Sequence, residues 1–420
     1  MISATLVTTL FLAFLMASVA TRLWLAQRQI RAVVTHRDEV PPAFREHITL
    51  DAHRKAADYT VAGARLNRWM ILFDALMLLI WTLGGGLQAA HDFVQRFGGG
   101  ELVSGITTLV LVSLLSSLLE QPFSLYRTFV IETRFGFNRS TLTTWIIDRI
   151  KGLALGLLIG IPLAALLLWL MQAAGRYWWI GAWAVLMVFS LVMSWAFPTL
   201  IAPLFNKFTP LQQPELEAAI QALLDRTGFR SKGIFVMDGS RRSGHGNAYF
   251  TGLGKSKRIV FFDTLIDSLN DHQVVSVLAH ELGHFKRHHI LKGLLLGALM
   301  NLLGFAVLAW LIKQPGFYHG LGVTTPTLAL AVLLFVMVTP VFTFFLNPLM
   351  AWFSRQHEYE ADEFAARQAS ADDLITALVT MYQDNASTLT PDPLYSGFYA
   401  SHPPALERIS HLQQYTSVPA

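Results

Sequence analysis

Seven long apolar stretches constrain the fold of this chain more than any other feature. Each is long enough to cross a bilayer as a helix, because a helix rises about 1.5 Å per residue and the hydrocarbon core is about 30 Å thick. A signal peptide is the alternative for the first stretch, but no Lys or Arg precedes its apolar core, so we expect an uncleaved anchor. The stretches are residues 4–26, 69–90, 102–124, 152–173, 177–201, 291–313 and 327–350.

The composition agrees with this pattern. Of the 420 residues, 53% are hydrophobic and only 14% are charged, which is too apolar for an ordinary soluble protein. The sequence therefore predicts an α-helical polytopic membrane protein with about seven transmembrane helices, surrounded by the lipid bilayer.

The basic residues between the stretches are distributed unevenly. Residues 27–68 and 125–151 are rich in Arg and Lys, whereas residues 91–101 contain only Arg96 and residues 314–326 contain neither. Because positive loops stay in the cytoplasm, the N-terminus is expected outside and the C-terminus inside. This pattern fits a bacterial inner membrane, which we favour, although an endoplasmic reticulum membrane would give the same orientation. The basic residues are scattered over loops, so we expect no nucleic-acid partner.

The metal-binding motif His-Glu-x-x-His occurs at residues 280–284. Asn270 can cap the predicted helix that contains it. Residues four apart share a helix face, so His280 and His284 can bind one ion while Glu281 reaches the water beside it. The chain has no cysteine, which leaves His, Asp and Glu as ligands. This spacing predicts one Zn²⁺ per chain and suits zinc-assisted hydrolysis; the alternative is a solvated helix with accidental histidines.

A third zinc ligand is expected in the charged segment 354–365, directly after the last apolar stretch. Glu358 and Asp362 share a helix face, so Glu358 can coordinate zinc while Asp362 accepts the outer N–H of a ligand histidine, expected to be His280. Glu360 lies about 200° around the helix from Glu358 and is expected to be solvated. Without the His-Glu-x-x-His motif, a charged helix beside the membrane would be the better interpretation.

Four regions follow from the alternation of apolar and polar sequence. Residues 1–204 are predicted to form a membrane region with five transmembrane helices, and residues 291–350 add two more. Residues 205–290 and 351–420 are polar, and the topology places both on the cytoplasmic side. They can therefore meet there and form one catalytic region.

The first polar region is predicted to contain a small β-sheet. Residues 214–228 form an amphipathic helical pattern that ends at a glycine. Two short apolar runs, 233–237 and 258–262, are typical of strands. Between them, residues 244–252 would be interpreted as a plain surface hairpin if the metal motif were absent.

Five short motifs occur in a fixed order along the chain. They are Glu132–Arg139 (ETRFGFNR), Asn247–Tyr249 (NAY), His280–His284 (HELGH), Glu358–Asp362 (EYEAD) and Ser401–Pro404 (SHPP). Together with the apolar stretches, they resemble the type I CAAX prenyl protease family of integral-membrane zinc endopeptidases, over nearly the whole chain. The resemblance implies a gluzincin-like site with zinc on His280, His284 and Glu358, and Glu281 as general base. It also implies helices that enclose a large intramembrane chamber with the site at its cytoplasmic side.

The resemblance also implies roles for four further residues. Asn247 and Ala248 match a strand that binds the substrate backbone by edge-strand hydrogen bonds. His402 and Arg408 match a pair that faces the reaction centre. There, His402 can donate to the oxyanion, and Arg408 can orient His402 or favour its charged form. The substrates implied are peptides or proteins, prenylated or membrane-associated.

Three alternatives bear on function. A bacterial quality-control protease would need no prenyl group on its substrate. A protease with its metal inside a spanning helix is disfavoured, because Asp271 and His272 precede the motif and Lys286 and Arg287 follow it. A non-catalytic transporter or scaffold would hold a structural metal, but structural zinc usually has four protein ligands and three are identified here.

The charge pattern makes a testable prediction about orientation. Reporter domains inserted in residues 27–68, in 125–151 or at the C-terminus should give cytoplasmic signals, and a reporter in 314–326 should give an external one. An external signal from the C-terminal fusion would contradict the predicted seven-span topology.

Overall fold

The computed structural model describes residues 2–251 and 258–416, and most of them are helical. The helices are α1 Ala4–Thr35, α2 Leu50–Trp81, α3 Gly86–Gln95, α4 Glu101–Tyr126, α5 Leu142–Ala173, α6 Trp178–Ala196, α7 Pro214–Thr227, α8 Asp263–Ser268, α9 Asp271–Lys286, α10 His289–Leu311, α11 Pro315–His319, α12 Leu328–Thr343, α13 Asn347–Gln368, α14 Ala371–Asp384, α15 Pro393–Tyr399 and α16 Ala405–Thr416. The strands are β1 Phe208–Pro210, β2 Ile234–Met237, β3 Ala248–Thr251 and β4 Arg258–Phe262.

In this described part of the chain, six helical segments are long and apolar enough to cross a membrane, and the bent pair α2 and α3 brings the number to seven. The predicted α-helical membrane fold is therefore confirmed. The predicted stretch 69–90, however, is not one continuous helix. It is broken between Trp81 and Gly86, with a bend of 50°. Three consecutive glycines lie at the break, and Gly85 has a φ of 76°, a left-handed conformation that interrupts helical geometry.

Segments predicted to be external meet at one end of the bundle. The backbone N–H of Ile2 donates to Gln314 Oε1 at 3.3 Å. The side chain of Gln88 on α3 accepts from the backbone N–H of Thr324 at 2.9 Å. The N-terminus, the start of α3 and the connection between α10 and α12 therefore lie on the same side of the membrane region.

A four-stranded mixed sheet has the order β1-β2-β4-β3. The strands predicted at 233–237 and 258–262 are β2 and β4, which pair in parallel. The predicted helix 214–228 is α7, and Gly228 ends it with a φ of 63°. The segment predicted as a possible hairpin contributes β3, an edge strand antiparallel to β4, while its last residue, Gly252, lies outside the described residues.

Both helices that carry the predicted metal ligands are joined directly to membrane helices. Helix α9 begins with a capping box at Asn270 and ends just before α10, with only Arg287 and His288 between them. Helix α12 continues through a short 3₁₀ turn into α13, so that Leu328–Gln368 form one helical run of 41 residues. The metal motif is therefore held at the boundary between the membrane bundle and the polar region.

Gly283 is the point where α9 lies closest to α13. A Cβ atom added there would lie 2.8 Å from Cα of Ala361 and 3.0 Å from its carbonyl oxygen. Backbone atoms cannot move aside as a flexible side chain can, so a side chain at 283 would push the helices apart.

The substitution Gly283→Ala tests this packing. Overpacking a core contact costs about 1 to 3 kcal/mol, so the variant should unfold at a lower temperature and bind less metal as the two helices separate. The matched control is Gly293→Ala on α10, where an added Cβ meets nothing within 4 Å. The control should keep wild-type metal content and stability, since Ala is the better helix former. Equal behaviour of the two variants would contradict the proposed role of the contact.

Candidate metal centre

Three side chains from α9 and α13 converge on one point. His280 and His284 project from α9, with their Nε2 atoms 3.2 Å apart. Glu358 projects from α13, with Oε1 3.2 Å from His284 Nε2 and Oε2 3.4 Å from His280 Nε2. These three residues form a group that can hold a metal ion.

The spacing of these atoms matches that of metal ligands. With Zn–N distances of about 2.0 to 2.1 Å, two ligands at the corners of a tetrahedron lie about 3.3 Å apart. In addition, Glu358 Oε2 is buried and accepts no hydrogen bond from the described residues. A buried acceptor left without a partner costs about 1 to 3 kcal/mol, and more when it is charged. A bound cation removes this cost, so the residues present fit a metal.

Asp362 and Arg408 hold the outer side of His280. Asp362 Oδ1 lies 2.7 Å from Nδ1 of His280, the histidine that it was expected to orient. Arg408 donates to both oxygens of Asp362, from Nε and Nη2, at 2.7 Å each. Asp362 and Arg408 are both buried. An N–H donated from His280 Nδ1 leaves the Nε2 lone pair free for a metal.

The electrostatics of His280 favour a bound cation. Burial and the charge of Arg408 act to lower the pKa of His280, but the hydrogen bond to Asp362 and the nearby carboxylate of Glu358 outweigh them and raise the pKa to about 9. A site that holds a proton this strongly is rich in negative potential, and a metal ion displaces the proton when it binds.

Glu281 lies beside the ligand histidines and is not one of the three ligands. It is partly exposed, and burial raises the pKa of its carboxyl group, while the nearby histidines act in the opposite direction. A carboxylate with a raised pKa is a better proton acceptor near neutral pH. The position suits a general base.

His402 approaches the cluster from the loop between α15 and α16. Its Nε2 lies 3.5 Å from Glu358 Oε1, and its Nδ1 lies 2.9 Å from Ser401 Oγ. The side chain is 60% exposed, so a substrate can reach it. Arg355 on α13 steadies this loop by donating to the carbonyl oxygen of Ala400 at 3.0 Å.

Asn247 and Ala248 lie at the start of the edge strand. Ala248 pairs with Phe261 of β4, and its N–H donates to Asn247 Oδ1 at 2.8 Å. Among the described strands, β3 pairs with β4 alone, which leaves its other edge available to an extended peptide.

The ETRFGFNR motif meets the loop before this strand. Glu132 accepts from Tyr59 Oη at 2.7 Å and lies 3.4 Å from His245 Nε2. The ring of His245 stacks on Phe137, with the centroids 4.2 Å apart. The loop that leads into β3 is thereby tied to the membrane helices. The sequence pattern gave no signal for this contact, because it joins residues far apart in the chain.

Glu360 was predicted to be solvated, and its contact with another side chain was not predicted. Its side chain is 42% exposed, but Oε2 lies 2.9 Å from His289 Nε2. His289 in turn lies with Nδ1 3.0 Å from His284 Nδ1. Helical spacing gave no signal for this contact, because it joins three helices across the break between α9 and α10.

A cavity of about 1300 Å³ lies among α4, α5, α6, α10 and α12. Its lining is largely apolar, with a few polar groups. Representative lining residues are Leu153, Gly156, Phe305, Val332, Gln121, Asp148 and Asn301. The membrane bundle therefore contains a large, mainly apolar cavity, and no residue of the metal cluster is among those that line it.

Peptide hydrolysis is the chemistry that suits a His-His-Glu cluster beside a free carboxylate, and here that cluster stands on extensions of membrane helices. The fold and the site together define a membrane-embedded metallopeptidase.

Comparison with known proteins identifies the family. The family model described as CAAX prenyl protease N-terminal, five membrane helices, matches residues 29–207. The model described as Peptidase family M48 matches residues 210–416. The chain therefore belongs to the CAAX prenyl protease family of M48 peptidases, as its motifs predicted, and it is a membrane metalloendopeptidase.

Similar proteins cover nearly the same length. CAAX prenyl protease 1 of Saccharomyces cerevisiae is 33% identical, over 92% of this chain and 93% of the relative. The CAAX prenyl protease 1 homolog of Arabidopsis thaliana is 37% identical, over 81% and 80% respectively. The crystal structure of S. mikatae Ste24p superposes with a TM-score of 0.91 at 32% identity, covering 98% of this chain and 99% of that one.

The geometry predicts that removing a metal ligand lowers zinc binding more than removing a residue that orients a ligand. Glu358→Ala should lose most bound zinc, since two imidazoles alone make a poor site, whereas Asp362→Ala should weaken affinity or activity about 10 to 100-fold. Chelator competition on the purified protein measures both. The control is Glu363→Ala on the same helix, where Glu363 pairs with Arg287 and Arg367 and such pairs contribute little. Zinc loss in the control and not in Glu358→Ala would refute the ligand assignment.

Proposed function

We propose that this protein is a zinc endopeptidase that cleaves peptides bound along β3 at the edge of the membrane. The observation that carries this proposal is the convergence of His280, His284 and Glu358 at tetrahedral ligand spacing, with Glu281 next to them and outside the ligand set. Two imidazoles and a carboxylate with no thiolate are a donor set typical of catalytic zinc. Three protein ligands leave a position open, as a catalytic site requires.

The chain's own residues divide the chemistry between them. Bound zinc would supply Lewis acidity, polarising the scissile carbonyl and lowering the pKa of water. Glu281 accepts the proton of the attacking water on its carboxylate and delivers it to the departing amide nitrogen. His402 donates from Nε2 to the carbonyl oxygen as negative charge develops there. Donation from Nε2 requires the tautomer with its hydrogen on Nε2. The Ser401 hydroxyl, 2.9 Å from His402 Nδ1, stabilises that tautomer when it donates to Nδ1.

Arg408 is assigned a positioning role. It is buried, and its two hydrogen bonds go to Asp362, while Nη2 lies 3.0 Å from His280 Nδ1. From this position it fixes the carboxylate that orients His280. Its catalytic contribution is therefore proposed to pass through the ligand.

The proposed substrates are peptides or proteins that approach from the membrane. The edge of β3 away from β4, which pairs with no other described strand, can take up an extended backbone, with Asn247 and Ala248 at its start. The relatives named CAAX prenyl proteases support prenylated proteins as one substrate class, and the apolar cavity supports a substrate that carries a lipid. Quality-control cleavage without prenylation remains the second candidate. Scattered basic residues support no nucleic-acid role.

The proposed placement in the membrane follows the charge pattern. The N-terminus would be outside, and the catalytic region and the C-terminus would be cytoplasmic in a bacterial inner membrane. The proposed division is a membrane region of residues 1–204, two further spans in 291–350, and catalytic segments 205–290 and 351–420. Packing of α9 against α13 supports joining the two catalytic segments into one region.

The substitution Glu281→Gln separates catalysis from metal binding. Gln has nearly the same shape but cannot accept the proton, so the variant should retain about one zinc per chain and lose about 10² to 10⁴-fold in turnover. The measurement is zinc content beside product mass, with matched farnesylated and unmodified peptides as substrates. A zinc-loaded variant with wild-type turnover would refute the assignment of Glu281.

Two comparisons complete this experiment. His280→Ala removes a ligand, so zinc and turnover should fall together. For the wild-type protein, preferred cleavage of the farnesylated peptide is expected of a prenyl protease. Equal cleavage of both peptides would favour the quality-control function.

A further inference from the structure

We propose that His289 and Glu360 form a second positioning chain, which fixes the tautomer and orientation of His284. His289 Nδ1 lies 3.0 Å from His284 Nδ1, and His289 Nε2 lies 2.9 Å from Glu360 Oε2. His289 is buried, with 5% of its side chain exposed. The inference rests on the proposed metal site, because it concerns how one of the three ligands is held.

The hydrogen-bonding capacities of the three groups set the direction of the chain. A carboxylate only accepts, so the hydrogen between Glu360 and His289 is carried by Nε2 of the histidine. The Nδ1 atom of neutral His289 is then a bare acceptor. Two bare Nδ1 atoms would repel each other at 3.0 Å, so His284 carries the hydrogen on its own Nδ1. The remaining nitrogen of His284, Nε2, is left with a lone pair directed into the ligand cluster.

The surrounding structure holds this chain in place. His357 stacks on His289, with centroids 4.0 Å apart and an angle of 12° between the ring planes. The Nζ atom of Lys292 lies 3.8 Å from Glu360 Oε2, which favours the ionised carboxylate. His288, with a φ of 57°, separates α9 from α10 and turns the chain so that His289 faces His284. These contacts come from α10 and α13, so the arrangement is not a by-product of the motif helix.

The two ligand histidines are therefore oriented from the same helix by different routes. Asp362 contacts His280 directly, whereas Glu360 reaches His284 through His289. Helix α13 thus supplies one ligand, Glu358, and the carboxylates that orient the other two. Its alternating acidic residues 358, 360 and 362 all serve the same centre.

Metal binding to the purified full-length protein tests the proposal. His289→Ala and Glu360→Ala should each raise the Kd for zinc about 10 to 100-fold in chelator competition. They should also change the visible absorption of bound Co²⁺, which reports the geometry of the ligands. Glu360→Gln retains an oxygen that accepts from His289 Nε2, so it should restore near wild-type affinity and absorption. Glu363→Ala is the matched control and should behave as wild type.

The outcomes separate this proposal from the proposed function. Wild-type affinity and an unchanged Co²⁺ spectrum in both alanine variants would overturn the positioning chain alone. A Glu360→Gln variant as weak as Glu360→Ala would overturn the tautomer argument. If His289→Ala fails to fold, the zinc affinities of Glu360→Ala and Glu360→Gln still test the proposal, because Glu360 is partly exposed. A wild-type protein that binds no zinc would instead refute the metal site itself.

Discussion

The close packing of α9 on α13 is the contact on which the rest of the site depends. Gly283 lets the two backbones approach, and this approach brings Glu358 within 3.4 Å of both ligand histidines. Neither helix holds a complete site alone, because one contributes two imidazoles and the other a carboxylate. Helix α9 leads into the membrane helix α10, and α13 continues from α12, so the packing of the bundle determines the geometry of the centre.

The charges around the His280, His284 and Glu358 cluster explain why a cation stabilises it. Two buried carboxylates, Glu358 and Asp362, lie close to one buried guanidinium, Arg408. Arg408 makes its short contacts to Asp362, and its nearest distance to Glu358 is 3.9 Å. Arg408 compensates the charge of Asp362, whereas Glu358 faces the two ligand histidines, which can oppose its charge only when they are protonated. A divalent ion between Glu358 and the histidines supplies that positive charge in place of the protons.

The sequence predicted those parts of the site that depend on local spacing, and it failed where distant helices meet. The cap at Asn270, the motif helix and the shared helix face of Glu358 and Asp362 follow from local sequence and from periods of one helical turn. The role of His289 could not be read in this way, because it depends on a left-handed residue that redirects the chain between two helices. The bidentate contact of Arg408 joins residues 46 positions apart. The break near Gly85 was missed because hydropathy is insensitive to backbone conformation.

The 41-residue helical run that ends at Gln368 also has a mechanical consequence. At about 1.5 Å per residue it is about 60 Å long, roughly twice the thickness of the hydrocarbon core. A helix of this length cannot lie wholly within the hydrocarbon core. Its C-terminal half, which carries Glu358, is therefore expected to extend beyond the lipid. Because Glu358 lies in the second half of this run, its distance from the lipid is coupled to how the apolar first half matches the thickness of the membrane.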